Sequence, residues 1–125
     1  MKNISIEAYT GDYFIPKVEF NAETGICDIA GESLLEDTIG FYKPLVEWLE
    51  EYTALNKPLK FNFRLTYFNT SSSKRILDIL QVLKKAQDKG TNVVVNWFIQ
   101  GDSEIIEDIE DYKIIAKLDI NIVEE

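Results

Sequence analysis

Leu59-Lys60-Phe61-Asn62-Phe63-Arg64-Leu65-Thr66-Tyr67-Phe68-Asn69-Thr70-Ser71-Ser72-Ser73-Lys74 contains the change of period that decides the fold. Leu59, Phe61, Phe63 and Leu65 alternate with Lys60, Asn62, Arg64 and Thr66, the pattern of a strand with one buried and one partly wet face. After Lys74, residues Ile76, Ile79, Leu80 and Leu83 recur at i, i+3, i+4 and i+7, and Ala86 extends this helical stripe to a stop at Lys89-Gly90. Between the two lie Asn69 and four consecutive hydroxyl residues, Thr70 to Ser73. Capping alone explains one of these, because a single side-chain oxygen suffices to accept an orphan N–H of the first turn. The others are expected to be exposed and free to meet something else. A helix start also offers N–H donors and the positive end of a dipole, a setting that favours phosphate, free or attached.

Working outward, Ile4, Ile6 and Ala8 read as a strand, and Lys17–Ala30 as a hairpin turning at Asn21-Ala22-Glu23-Thr24-Gly25, with Gly25 at positive φ. Phe41, Leu45, Trp48, Leu49 and Tyr52 share a helical face. Pro44 suits a first turn, so this helix is expected to begin near Lys43, with Asp37–Tyr42 as a preceding turn. Val93, Val94, Val95, Trp97, Phe98 and Ile99 form a nearly continuous apolar run, expected as a buried central strand. Ile105, Ile106, Ile109, Tyr112 and Ala116 mark a third helix, with Asp102-Ser103 as its cap, and Asp119 to Val123 a last strand. The order β-β-β-α-β-α-β-α-β implies an α/β fold with a mixed sheet in a single domain over residues 1–125.

Composition removes several functions. The 22 acidic against 13 basic residues, net charge −9, argue against nucleic acid and anionic membranes while leaving a basic protein partner open. The chain has no histidine, which removes the commonest general base and zinc ligand. The acids Asp102, Glu104, Glu107, Asp108, Glu110 and Asp111 lack calcium-loop spacing and read as the solvated face of a helix, so no metal is expected. Cys27, Trp48 and Trp97 sit on apolar patterns and read as core. A lone cysteine and no visible secretory signal or membrane span point to the cytoplasm. Arg64, Lys74 and Arg75 are the cations near the hydroxyl cluster that could meet a phosphate or a partner. No Gly-rich phosphate loop is present, which weighs against, without removing, a small-anion or nucleotide-binding module at the same helix start. A carboxylate-dependent enzyme is the weakest reading, for lack of paired acids at strand ends.

Strand, hydroxyl-rich turn and amphipathic helix resemble the phosphorylation site of STAS-type anti-anti-sigma factors, although Asn69-Thr70-Ser71 has no Asp in the place of their Asp-Ser-Ser-like motif. Leu65–Lys74 more closely resembles the central motif of the SiaC family of bacterial regulatory phosphoproteins. Gly31-Glu32-Ser33, Phe41-Tyr42-Lys43-Pro44-Leu45, Trp48-Leu49 and Asn96-Trp97 support the resemblance. It implies a STAS-like fold with helices mainly on one face of the sheet, no enzymatic activity and no cofactor. It also implies a phosphoacceptor at Thr70 (Ser71 in reserve), in a switch loop of Asn69, Ser71, Ser72 and Ser73. In the family a serine/threonine kinase adds the phosphate and a PP2C-type phosphatase removes it. The unphosphorylated form binds and activates a diguanylate cyclase, promoting cyclic-di-GMP signalling and biofilm formation.

Overall fold

The computed structural model describes residues 1–101 and 104–125. The expected cap of the third helix, Asp102-Ser103, therefore lies outside the described residues. Strands β1 (Ile4–Ile6), β4 (Lys17–Phe20), β5 (Ile26–Ser33), β6 (Leu59–Phe68), β7 (Val93–Ile99) and β8 (Asn121–Glu124) form one sheet in the order β1-β4-β5-β6-β7-β8. The β1, β4 and β5 pairings are antiparallel, and β5 through β8 run parallel, so the sheet is mixed as expected. Helices α1 (Thr38–Thr53), α2 (Thr70–Asp88) and α3 (Ile105–Ala116) supply the crossovers. Two short strands, β2 (Tyr9–Thr10) and β3 (Phe14–Ile15), form a separate hairpin tied to the main body through a Phe14–Leu34 bridge.

Alternation places Cys27, Ile29, Phe61, Phe63, Leu65, Val95 and Trp97 against the helices, all at most 2% exposed. They meet Leu45, Leu49, Ile76, Ile79, Leu80, Leu83 and Ile109 in one core. The opposite face carries an amide ladder: Asn121 Nδ2 donates to Asn96 Oδ1 and Asn96 Nδ2 to Asn62 Oδ1, both at 3.0 Å. Strand β7 therefore differs from the doubly buried strand expected. Val94, Asn96 and Phe98 lie on this helix-free face and are half-buried. Cross-strand neighbours and the Arg64 guanidinium, 4.1 Å from the Phe98 ring centroid, shelter the apolar run there.

Helix α1 starts earlier than Pro44 suggested. The Asp37 carboxylate caps it by accepting from Gly40 N at 2.9 Å, and Pro44 falls inside the helix. A buried stripe of Thr38, Tyr42, Leu45, Trp48, Leu49 and Tyr52 offsets the hydrogen bond that proline forfeits. A Cβ at Gly40 would meet the Asp37 carboxylate and push it from its capping position.

One irregularity sets the geometry of the site. Between β5 and β6 the register runs Gly31↔Leu65 and then Glu32↔Tyr67, leaving Thr66 as an extra residue. A bulge of one residue reverses the faces that follow it. Tyr67 is consequently 57% exposed, while Phe68, which strict alternation would turn to the wet face, lies toward the helices near Trp97 and Tyr112 with centroids 6.2 Å from each. Gly31 takes φ +105° opposite the bulge, a backbone state that side-chain-bearing residues rarely adopt.

Candidate functional site

The corrected register delivers Asn69 to the entrance of α2 in an extended conformation. Its Oδ1 accepts from Ser72 N at 2.9 Å, its Nδ2 donates to Leu35 O at 3.1 Å, and its backbone N donates to Ser33 O at 3.1 Å. Asn69 is thus both the helix cap and a rivet to β5. The expected switch loop is shorter than the sequence suggested, because Thr70 to Ser73 already form the first helical turn.

The structure sorts the four hydroxyls by direction. Ser72 is fully buried: its Oγ donates to Ser33 O at 3.0 Å and lies 2.8 Å from Ser33 Oγ, which is 2.7 Å from the Tyr42 hydroxyl. One assignment satisfies every proton in this buried chain: Tyr42 donates to Ser33 Oγ, Ser33 to Ser72 Oγ, and Ser72 to the Ser33 carbonyl. Ser73 points to α3, where its Oγ lies 2.6 Å from the Tyr112 hydroxyl, which donates to Ser73 O at 3.3 Å. Ser71 is half-buried and donates weakly to Asn69 Oδ1 at 3.4 Å. Thr70 is exposed, and its hydroxyl has no hydrogen-bond partner among the described residues. The expectation that the extra hydroxyls are all exposed thus fails for Ser72 and Ser73, which distant partners draw inward.

The cations separate as well. Arg64 projects from the helix-free face of the sheet, 2.7 Å from Asp28 and 3.4 Å from Glu125, and is not gathered with the hydroxyl cluster. Arg75 lies 3.1 Å from Asp78 along its own helix. That separation fits an ion pair, but Arg75 Nε finds no aligned acceptor among the described residues, so the contact is Coulombic rather than a formed hydrogen bond. Lys74 is exposed at i+4 from Thr70 and has no ion pair among the described residues.

Beside the helix start lies a groove of about 840 Å³, lined by Asp12, Tyr13, Leu34, Leu35, Glu36, Asp37, Asn69 and Ser71. Its walls are the β2–β3 turn, the β5–α1 connection and the α2 entrance. The sequence did not reveal it, because the hairpin strands have two residues each, too short for a period to show. Ser33, Tyr42 and Tyr112 were also missed as partners of the hydroxyl turn. The available signal was Ser33 itself, a polar residue on the inward parity of Cys27 and Ile29.

Burial raises the Tyr42 hydroxyl from its ordinary 10.0 to about 12, opposed by the Ser33 hydrogen bond. Burial also raises Tyr112 to about 12, with the Ser73 hydrogen bond opposing and the Asp108 charge adding to the rise. Both folded values lie above the unfolded one, so the stability they contribute is whole below pH 10 and is lost as pH climbs toward 12. Each proton steepens that loss by at most about 1.4 kcal/mol per pH unit. Tyr112→Phe is expected to flatten the alkaline stability profile measured by urea unfolding. An unchanged slope would mean that Tyr112 ionises alike in the folded and unfolded chains.

Among the described residues no group of acids, histidines or cysteines is arranged to hold a metal, and no helix is long and apolar enough to cross a membrane. The structure of apo-SiaC from Pseudomonas aeruginosa superposes with a TM-score of 0.84 at 26% identity, covering 98% of this chain and 99% of that one. A second structure of Pseudomonas aeruginosa SiaC gives 0.87 at 24% identity over the full length of both chains. A third, of the diguanylate cyclase SiaD in complex with its activator SiaC from the same organism, gives 0.83 at 24% identity, covering 96% of this chain and 100% of that one. A protein of Pseudomonas aeruginosa strain UCBPP-PA14 is 28% identical over 100 residues, 79% of each chain. The model of the SiaC family regulatory phosphoproteins matches residues 9–125, and the chain therefore belongs to that family.

Proposed function

We propose that this regulatory phosphoprotein is a non-enzymatic partner switch whose state is set by reversible phosphorylation of Thr70. The carrying observation is the sorting of the hydroxyl turn: Ser72 and Ser73 are tied inward, and Thr70 is exposed at the first residue of α2. A phosphate there adds about 1.5 to 2 negative charges and three acceptor oxygens near the positive end of a helix, where it does not unfold the domain. Lys74 is the cation within one turn of it. The partner proposed is a diguanylate cyclase, by analogy with the complex of SiaD and its activator SiaC from Pseudomonas aeruginosa, and the state proposed to bind and activate it is the unphosphorylated one. A serine/threonine kinase and a PP2C-type phosphatase would exchange the two states in the cytoplasm, linking them to cyclic-di-GMP and biofilm control.

Peptide mass spectrometry on protein isolated from its native cell, with Thr70→Ala alongside, tests the acceptor. The expected result is one phosphate mapped to Thr70 and lost in the variant. Phosphate on Ser72 or Ser73 in the folded protein would overturn the assignment, since both hydroxyls would first have to leave their buried or tyrosine-held positions.

A further inference from the structure

We propose that the groove beside the α2 entrance is the seat for a cationic, amphipathic segment of a partner protein, a chain stretch in which Lys or Arg alternates with Leu-like residues. This deepens the partner-switch reading and rests on it only for the link to Thr70. Leu34 and Leu35 are half-buried and Tyr13 is 45% exposed, so these three present the apolar surface. Asp12, Glu36 and Asp37 are exposed at its walls, and among the described residues no Lys or Arg lines it. These acids do not converge as metal ligands would. Carboxylates spread along an apolar trough complement a strip of cations, and the volume of about 840 Å³ is that of a seat for side chains rather than for an ion.

The groove is also held in shape. The Phe14–Leu34 pair exchanges two backbone hydrogen bonds of 2.9 Å, fixing the hairpin wall, and Asn69 Nδ2 holds the Leu35 carbonyl, fixing the opposite wall to α2. Little ordering cost then falls on the protein when a segment binds. Thr70 is not part of the lining but follows Asn69 and precedes Ser71, both of which are, so a phosphate on it stands beside the seat.

Amide chemical-shift mapping with a synthetic Leu/Lys amphipathic peptide tests the seat, with a Leu/Glu peptide of equal length as control. The expected shifts are confined to residues 12–13, 34–37, 69 and 71, saturate with the Leu/Lys peptide, and are absent with Leu/Glu. Added salt is expected to weaken them. The double variant Asp12→Lys with Glu36→Lys changes two exposed side chains, of which, among the described residues, only Asp12 has a hydrogen bond, from Tyr9 at 3.2 Å. It is expected to lose affinity by at least about tenfold with an otherwise unchanged spectrum. Shifts spread equally over the acidic face of α3 (Glu107, Asp108, Glu110, Asp111), or undiminished binding by the double variant, would overturn the proposal. A peptide that seats in the groove but ignores Thr70→Asp would leave the seat standing and remove its link to the switch.

Discussion

Trp97→Ala is expected to cost about 3–5 kcal/mol of folding stability, the largest loss from any single side chain near the site. Trp97 is fully buried on β7. It stacks on Phe63 with centroids 4.5 Å apart and planes within 14°, and on Tyr112 at 6.0 Å and 20°. Its Nε1 donates to Leu65 O at 3.3 Å. Truncation therefore opens a cavity, removes three ring contacts, with Phe63, Phe68 and Tyr112, and leaves a buried carbonyl without its side-chain donor. Typical domain stability is only about 5–15 kcal/mol, so the variant would be marginal at 37 °C. The damage is directed, because Trp97 also supports Phe68 and Tyr112, the residues that bring β6 to the α2 entrance and hold Ser73. Urea unfolding measures the loss, with Trp48 kept as the fluorophore. A cost below about 1 kcal/mol would mean that the core repacks freely around the gap.

The limits of sequence reasoning are visible in the same region. The strand, the cap and the helix were legible because each depends on local chemistry: alternation from Leu59 to Leu65, the Asn69 oxygen, and the i, i+3, i+4 spacing from Ile76. Their failure points are non-local. The Thr66 bulge depends on Gly31, on a different strand, accepting positive φ. The hydroxyls of Ser72 and Ser73 are turned inward by Ser33 and Tyr112, each 39 residues away. Arg64, read as near the turn by its place at the strand end, follows the parity of its strand to the helix-free face and its acids Asp28 and Glu125. Pro44 misled the reading of α1 because its local cost is fixed, whereas the burial that outweighs it appears only when the sheet is present. The order of segments was enough for the α/β class and the mixed sheet, which depend on element type and sequence alone; the family resemblance, drawing on the whole pattern at once, added what no single segment carries, the family itself.

Phosphate on Thr70 is expected to weaken partner binding by about 100-fold, equivalent to about 3 kcal/mol. The cost has two sources. Toward a cationic segment in the groove the added charge alone is attractive, so the first source is desolvation: covering a dianion strips water that Lys74, the one nearby unpaired cation among the described residues, replaces only in part. The phosphate also adds volume to a first turn whose position is pinned by Asn69, Ser72 and Ser73 and is not free to retreat. Thr70→Ala removes an exposed hydroxyl with no partner among the described residues, so its binding should match the unmodified protein and its stability should change by less than about 0.5 kcal/mol. Thr70→Asp carries one charge and less bulk, so its loss should be real but closer to tenfold. Titration calorimetry of the four forms against the same diguanylate cyclase gives the ranking directly. Phosphorylated protein that binds as tightly as Thr70→Ala would sink the switch, because neither the added charge nor the added volume would then be felt at the interface.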